Sequence, residues 1–145
     1  MGVSSNINID EIMMGIGNAA DALVDDIVTT MEIACIEVVR QARMVNTYTD
    51  QTGNLRSSIG YSVYKDGMLV TEGYEAHPKL EDGKDGVSSA RLFAEEIHRN
   101  YEGRTCAIIV AGMDYAVYVE SRGFDVITGS AKNFAPIFEK YIKAI

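Results

Sequence analysis

The stretch YTDQTGNLRSSIGYSVYKDGMLV, from Tyr48 to Val70, decides the fold of this chain. It opens with residues that favour turns, namely Thr52, Gly53 and Asn54. From Leu55 onward apolar and polar residues alternate, which predicts a strand with one buried face. The pair Asp66–Gly67 then predicts a tight turn into a second strand over residues 68–71, because this pair adopts the positive φ angles that hairpins need. We therefore predict a turn that leads into a β-hairpin.

A glycine-bearing turn of this kind could also cradle a phosphate. A phosphate loop requires Gly-Lys-Ser/Thr and continues into a helix whose N-terminus faces the phosphate. The segment TGNLR lacks that lysine and leads into a predicted strand. We therefore predict that Thr52, Gly53 and Asn54 form a structural turn, with Gly53 in a conformation that a β-carbon would oppose.

A long amphipathic helix is predicted before this stretch, roughly over residues 9–45. Apolar residues recur there at intervals of three and four: Ile12, Ile16, Ala19, Leu23, Ile27, Met31, Ala34 and Val38. Val24, Val28, Cys35 and Val39 widen the apolar stripe beyond what one small sheet would cover. We therefore expect part of the helix to contact another subunit. Gly15 and Gly17 each cost about 1 kcal/mol relative to alanine, so we expect the regular helix to begin near Asn18.

The rest of the chain predicts a second helix, a second strand pair and a short terminal helix. Residues 73–86 mix glycine, proline and charge and predict an exposed loop. A helix follows, capped by Ser88 or Ser89 and stopped by Gly103, and its apolar side is Leu92, Phe93, Ile97 and Tyr101. The segment TCAIIVAGMDYAVYVES predicts two strands, of which the first is central and the second buries Tyr115, Val117 and Val119. The last helix begins near residue 132 or 133, which leaves Pro136 in its first turn.

This order of elements predicts one α+β domain over residues 1–145. In its two layers, the long N-terminal helix and further helices pack on a mostly antiparallel sheet of about four strands. A chain of this length buries about two-thirds of the surface that it exposes when unfolded, so no metal or disulfide is needed for stability. We interpret Cys35 and Cys106 as core-filling residues in a reducing compartment.

Charge and hydropathy exclude several classes of partner. The formal net charge of -8 and the pI near 4.7 oppose specific binding to nucleic acid, which depends on clustered Lys and Arg. The longest apolar run, CAIIVAGM, is too short to cross a bilayer, which needs about 20 residues. The first ten residues lack the basic and apolar regions of a signal peptide. We expect no nucleic-acid or membrane partner.

No motif predicts a catalytic, cofactor-binding or metal site. His77 and His98 do not stand at metal-ligand spacing, no GxSxG is present, and no paired carboxylates stand out from the scattered acids. The segment EDGKDG is similar to a calcium loop, but its register places Gly83 and Leu92 at ligand positions. We therefore expect a protein that is not an enzyme and holds no cofactor or metal.

Two blocks in order, TGNLRSSI at Thr52–Ile59 and YAVYVESRG at Tyr115–Gly123, follow the long helix. They resemble the signature segments of small head-tail connector and tail-completion proteins of tailed double-stranded-DNA phages. The resemblance covers most of the chain, which departs from the family pattern in SRGFDVITG and in a helical insertion from Ser88 to Tyr101. It implies a non-enzymatic virion protein, encoded by a phage or prophage and present in the host bacterial cytoplasm during assembly. Its partners would be other head-tail and tail proteins and further copies of itself, in a ring with sixfold symmetry between the portal complex and the tail. The free subunit would be monomeric or weakly associated when dilute.

The residues alone leave two alternatives open: a small monomeric α+β protein-binding module and, more remotely, a hydrolase or nuclease. Candidate subunit-interface residues are Arg56, Tyr118, Glu120 and Arg122. Strand alternation places Arg56 and Glu120 on the same side of the predicted sheet, where they could pair within a subunit or between subunits.

Overall fold

A computed structural model describes residues 8–45, 47–50, 53–76 and 84–143. The chain enters helix α1, Ile9–Met44, through Asn8, whose side chain accepts hydrogen bonds from the backbone N–H groups of Asp10 and Glu11. This cap and the acidic first turn both suit the positive end of the helix dipole. The predicted long helix is confirmed, but the expected start near Asn18 is wrong, because α1 is regular through Gly15 and Gly17.

The later elements are shorter than α1. They are helix α2 (Asn54–Ser57), strands β1 (Ile59–Lys65) and β2 (Met68–Gly73), helix α3 (Lys84–His98) with a 3-10 turn (Arg99–Tyr101), strand β3 (Cys106–Ala111), and helices α4 (Ala116–Ser121), α5 (Thr128–Ala131) and α6 (Phe134–Ile142). The described strands form one antiparallel sheet in the order β2-β1-β3. The α+β class is confirmed, with three strands rather than about four.

The predicted hairpin is present as β1 and β2. Its turn contains Asp66 and Gly67, both with positive φ, as a tight hairpin turn requires. The chain departs from the prediction just before it, since residues 54–57 form α2 and the strand begins at Ile59 rather than at Leu55.

The sheet lies between two helices, so helices cover both of its faces, where the sequence predicts two layers. On one face, Ile59, Tyr61 and Val63 of β1 pack against the C-terminal half of α1, where Cys35 is fully buried as predicted. On the other face, Tyr64 of β1 packs with the small α3 residues Ala90 and Ala94. Helix α3 begins before the predicted serine caps, and it buries these alanines while Leu92 and Phe93 are exposed. Close helix approach therefore depends on small residues.

Strand β3 was expected at the centre of the sheet, but β1 is the central strand. Ile108 and Val110 of β3 lie in the cluster with α3, while Ala107 and Ile109 pack in the cluster with α1. Both faces of β3 are therefore covered by helices, although only one of its edges pairs with a described strand. A strand that is apolar on both faces indicates two covering layers and says nothing about its place in the sheet.

The predicted fourth strand is wrong, because residues 116–121 form helix α4. The ladder ends at Gly112, whose N–H donates to the carbonyl of Ser58, and the chain then turns through Met113, whose carbonyl accepts from the N–H of Ala116. Ala116 is buried and Val119 is half-buried, at helical spacing, whereas Val117 is 77% exposed. A short apolar run fits both periods, and here the helical period is the one that buries the small residue.

The terminal helix α6 is confirmed, with Pro136 in its first turn, where its missing N–H costs no helical hydrogen bond. Phe134 packs against the cluster on the α1 face, and the Asn133 side-chain amide donates to Oε1 of Gln41 at 2.9 Å. Helix α6 therefore covers part of α1 that the sheet leaves open.

Gly112 provides a test of the close packing between α3 and the end of β3. A β-carbon at this position would overlap the backbone of Ala90, so Gly112→Ala is expected to lower the free energy of unfolding by about 1–3 kcal/mol. Urea denaturation followed by circular dichroism measures the change. Gly15→Ala is the matched control, because nothing lies within 4 Å of its added carbon and its stability should be equal or higher. Equal stability of Gly112→Ala and the parent would contradict this packing.

Candidate interaction surfaces

The turn before α2 is held by one carboxylate. Asp50 Oδ1 accepts the N–H of Gly53 at 3.0 Å, and Oδ2 accepts the N–H of Arg56 at 2.8 Å. Gly53 is buried with a φ of 78°, the left-handed conformation that a β-carbon opposes. Thr52 lies outside the described residues. Asn54 begins α2, and its Oδ1 accepts the N–H of Gly86 in α3 at 3.3 Å.

Arg56 joins this turn to the end of α1. Its Nη1 donates to the carbonyl of Arg43, and its guanidinium lies 4.9 Å from the centre of the Tyr48 ring. Arg43 in turn donates from Nε and Nη2 to the carbonyl of Ile59, at 3.2 and 2.7 Å. These contacts connect the long helix to the first residue of the central strand. The structure therefore gives Arg56 a role within its own subunit.

Glu120 also forms hydrogen bonds within its own subunit. Its Oε1 accepts the backbone N–H groups of Val126, Ile127 and Thr128, and its Oε2 accepts the Thr128 hydroxyl at 2.6 Å. Burial raises the pKa of Glu120, but the hydrogen bonds from Ile127, Thr128 and Val126 outweigh that effect and hold the pKa below its ordinary value. The carboxylate therefore closes the loop that carries the fully buried Val126.

The predicted placement of Arg56 and Glu120 on one side of the sheet is wrong. The prediction placed both residues on strands, but Arg56 lies on α2 and Glu120 on α4, so strand alternation does not apply to either. Tyr118 lies within α4 and Arg122 directly follows it, and both residues are exposed. These two remain available for contacts with another molecule.

The fold nevertheless brings the two signature blocks together. A groove of about 700 Å³ separates them, and it is lined by Tyr48, Thr49, Asp50, Asn54, Leu55, Met113, Tyr115, Tyr118 and Val119. Burial raises the pKa of Tyr48 to about 12, while Arg56 above its ring acts in the opposite direction. The blocks are thus neighbours through packing across this groove, and not through an ion pair.

The N-terminal part of α1 is an exposed apolar surface, and only the structure shows how far along the helix it extends. Every residue from Asn8 to Leu23 is exposed, and we call residues 9–23 the arm. Its apolar stripe comprises Ile9, Ile12, Met13, Ile16 and Leu23. The body begins near Asp25, which accepts from Lys65 Nζ at 2.6 Å, and at Val28, the first buried residue. At 1.5 Å per residue the arm extends about 22 Å from the body.

A second groove, missed from the sequence, lies between the C-terminal half of α1 and the end of β2. It has a volume of about 590 Å³ and is lined by Ile36, Val39, Arg40, Arg43, Met44, Tyr61, Glu72, Gly73, Tyr74, Glu75 and Arg91. Because Arg40, Arg43 and Arg91 all line it, we call it the arginine groove. The pair Arg40 and Arg43 was visible in the sequence, but Arg91 reaches the groove only through the packing of α3.

The glutamates of the arginine groove pair with its arginines. Arg91 Nε lies 3.3 Å from Glu72 Oε1, and Arg43 Nη1 lies 3.5 Å from Glu75 Oε2. Burial lowers the pKa of Arg43, and Glu75 acts in the opposite direction. Glu75 is exposed, so its ion pair is open to water and to an incoming group.

Within residues 8–45, 47–50, 53–76 and 84–143, no three or more His, Cys, Asp or Glu side chains come together as metal ligands, and no helix has the length and hydropathy to cross a membrane. His98, the last residue of α3, stacks on Tyr64 of β1 with ring centres 3.6 Å apart, which places it in the packing between α3 and the sheet. His77 lies outside the described residues.

Fold and surfaces together define an α+β domain with a projecting apolar helix and two surface grooves. No family model, no curated protein and no solved structure matches the chain.

Gly53→Val tests the turn held by Asp50. A β-branched residue at a φ of 78° is strained, so the free energy of unfolding should fall by about 1–3 kcal/mol. Gly53→Asn is the matched variant, because asparagine tolerates this conformation better and should lose less. Denaturant titration of the three proteins measures the order. If Gly53→Val and Gly53→Asn had the same free energy of unfolding, the left-handed conformation would not disfavour a β-branched residue at this position.

The Glu120 cradle predicts a pH-dependent difference in stability between the parent and Glu120→Gln. Because the folded pKa is depressed, the stabilisation is fully present above the ordinary value of 4.5 and is lost as pH falls through the lower folded value. The parent should therefore unfold at higher denaturant than Glu120→Gln at pH 7, and the two should converge on acidification. A difference that stays constant from pH 7 to pH 3 would contradict the cradle.

Proposed function

We propose that this protein is a structural component of a tailed phage, a head-tail joining or tail-completion subunit that assembles as a ring between the portal complex and the tail. The observation that carries the proposal is the arm. Ile12, Ile16 and Leu23 are 50%, 65% and 56% exposed on one side of a capped, continuous helix. Contiguous apolar surface of this kind marks a site of protein association.

The signature blocks support the same role. They meet across the groove of about 700 Å³, and next to it α4 exposes Val117 and Tyr118. These blocks resemble the signature segments of proteins at the phage head-tail junction. A ring subunit needs at least two separate contact surfaces, because each copy contacts two neighbours as well as the layers above and below.

Net charge fits a passive conduit for DNA. With 21 acidic and 13 basic residues, the subunit carries a formal charge of -8, so its surface repels phosphates overall. DNA that passes through such a ring would not be gripped by it. The proposed role is structural and requires no catalytic group, cofactor or metal.

The second candidate function is a monomeric protein-binding module, favoured by the same arm, since one exposed amphipathic helix is enough to dock into a groove of a single partner. The two candidate functions differ in the number of copies of the protein that act together and in whether the protein is part of the finished particle. A joining protein is found in the finished particle in several copies, whereas a binding module is not part of the particle.

Deletion of the gene from the phage or prophage genome that carries it tests the proposal. Without the subunit, heads and tails should accumulate unjoined in electron micrographs and infectious titre should fall, and the parent protein supplied in trans should restore both. An arm variant, Ile12→Ser with Ile16→Ser, should fail to restore them because it loses apolar contact area.

Met14→Ser is the matched control for this experiment. Met14 is 67% exposed but lies on the opposite side of the helix from Ile12 and Ile16, so its variant should restore joined particles. Normal particles and titre in the deletion strain would refute the joining role and favour the binding module.

A further inference from the structure

We infer that the arginine groove is the docking site for the arm of a second copy of this chain, so that subunits join head to tail. The inference rests on the assembly role proposed above and names the partner of the arm. Charge, shape and the rigidity of α1 all favour this docking.

The arm and the arginine groove differ in the charged residues that they carry. The chain contains no Lys or Arg before Arg40, whereas the arm and the turn after it carry Asp10, Glu11, Asp21, Asp25 and Asp26. The groove gathers Arg40, Arg43 and Arg91. Two arms side by side would bring only carboxylates together, which disfavours pairing of arm with arm. An arm placed at the groove brings carboxylates to arginines instead.

The groove also has acidic residues, which form ion pairs with its arginines. Carboxylates of another molecule could replace them in those pairs. Glu72 and Glu75 contact Arg91 and Arg43 at its rim, and Arg40 Nη2 lies 2.9 Å from Glu37 Oε1. In each of these pairs one side chain is well exposed, namely Arg40, Glu75 or Arg91, and ion pairs that are open to water contribute little to stability. Carboxylates of an incoming helix can therefore share or replace them at small cost.

Shape and hydropathy fit an amphipathic helix. The groove exposes Ile36 and Met44, the latter 68% exposed, next to Val39 and the ring of Tyr74. Its volume of about 590 Å³ is large enough for several side chains from successive helix turns. Apolar residues of the arm would cover this floor while its carboxylates reach the arginines at the rim.

Rigidity requires that the occupant come from another molecule. Arm and groove belong to the same continuous helix, and Ile16 and Arg40 are separated by about 36 Å along its axis. A helix cannot fold back on itself, so no arm reaches its own groove. Docking between different patches on two copies is heterologous, and it produces a closed ring or an extended row of subunits.

Complementary variants test the inference in purified protein. The arm variant carries Ile12→Ser and Ile16→Ser, and the groove variant carries Arg40→Glu and Arg91→Glu, which spares Arg43 and its bonds to Ile59. In sedimentation velocity the parent should associate increasingly with concentration, and each variant alone should associate at least about tenfold more weakly. An equimolar mixture should form a one-to-one dimer and nothing larger, because one intact arm meets one intact groove.

Controls and opposing results separate the possibilities. Met14→Ser should associate like the parent, and circular dichroism verifies that all variants are folded. A groove variant that associates as strongly as the parent would overturn the inference in favour of arm-to-arm pairing. So would a parent that remains monomeric up to its solubility limit, or a mixture that stays monomeric while the parent associates.

The same proteins distinguish this inference from the proposed function. If the arm variant fails to join heads to tails while the parent is monomeric at every concentration, the arm docks onto a different virion protein and only the inference falls. If head-to-tail association occurs but the gene deletion leaves particles normal, the association stands and the joining role falls.

Discussion

One constraint organises this molecule: α1 is a single rigid helix whose apolar stripe is longer than the body that covers it. From Val28 onward the stripe packs on the sheet and on α6, and before Leu23 nothing in the described part of the subunit covers it. A hydrogen-bonded helix cannot bend back to bury its own end. The exposed arm is therefore a direct result of a continuous helix joined to a small domain, and the described residues of the same subunit leave its apolar side chains uncovered.

The junction after α1 fixes the rest of the fold. Asp50 holds the left-handed Gly53, Arg56 bonds to the last turn of α1, and Arg43 bonds to the first residue of the central strand. Each link satisfies a backbone group that packing removes from water, which matters because a buried group without a partner is costly. The residues of the first signature block thus orient the sheet against the long helix. Their polar side chains form bonds within the subunit, whereas exposed apolar side chains lie elsewhere, among them those of the arm and of α4.

Acidic and basic groups are distributed unevenly along α1. Its first thirty-one residues contain only acids among their charged side chains, and the arginines appear where the helix meets β2 and α3. This polarity gives the subunit two distinct ends, as assembly by head-to-tail contact requires. It also makes any such contact sensitive to salt, since exposed charges are screened beyond about 10 Å at moderate ionic strength.

The sequence by itself determined the long helix, the hairpin turn at Asp66–Gly67, the need for Gly53 and the position of Pro136, because each depends on local periodicity or on backbone conformation. Only the tertiary structure decided that residues 116–121 are helical and that β1 rather than β3 is central, since a short apolar run fits two periods and burial does not reveal strand order. Tertiary structure also gave Arg56 and Glu120 their intramolecular partners and brought Arg91 to Arg40 and Arg43. The contacts of Arg56 and Arg91 join separate elements and exist only after the helices have packed on the sheet. Glu120 contacts residues only six to eight positions away, but it does so across a loop that the predicted strand did not include.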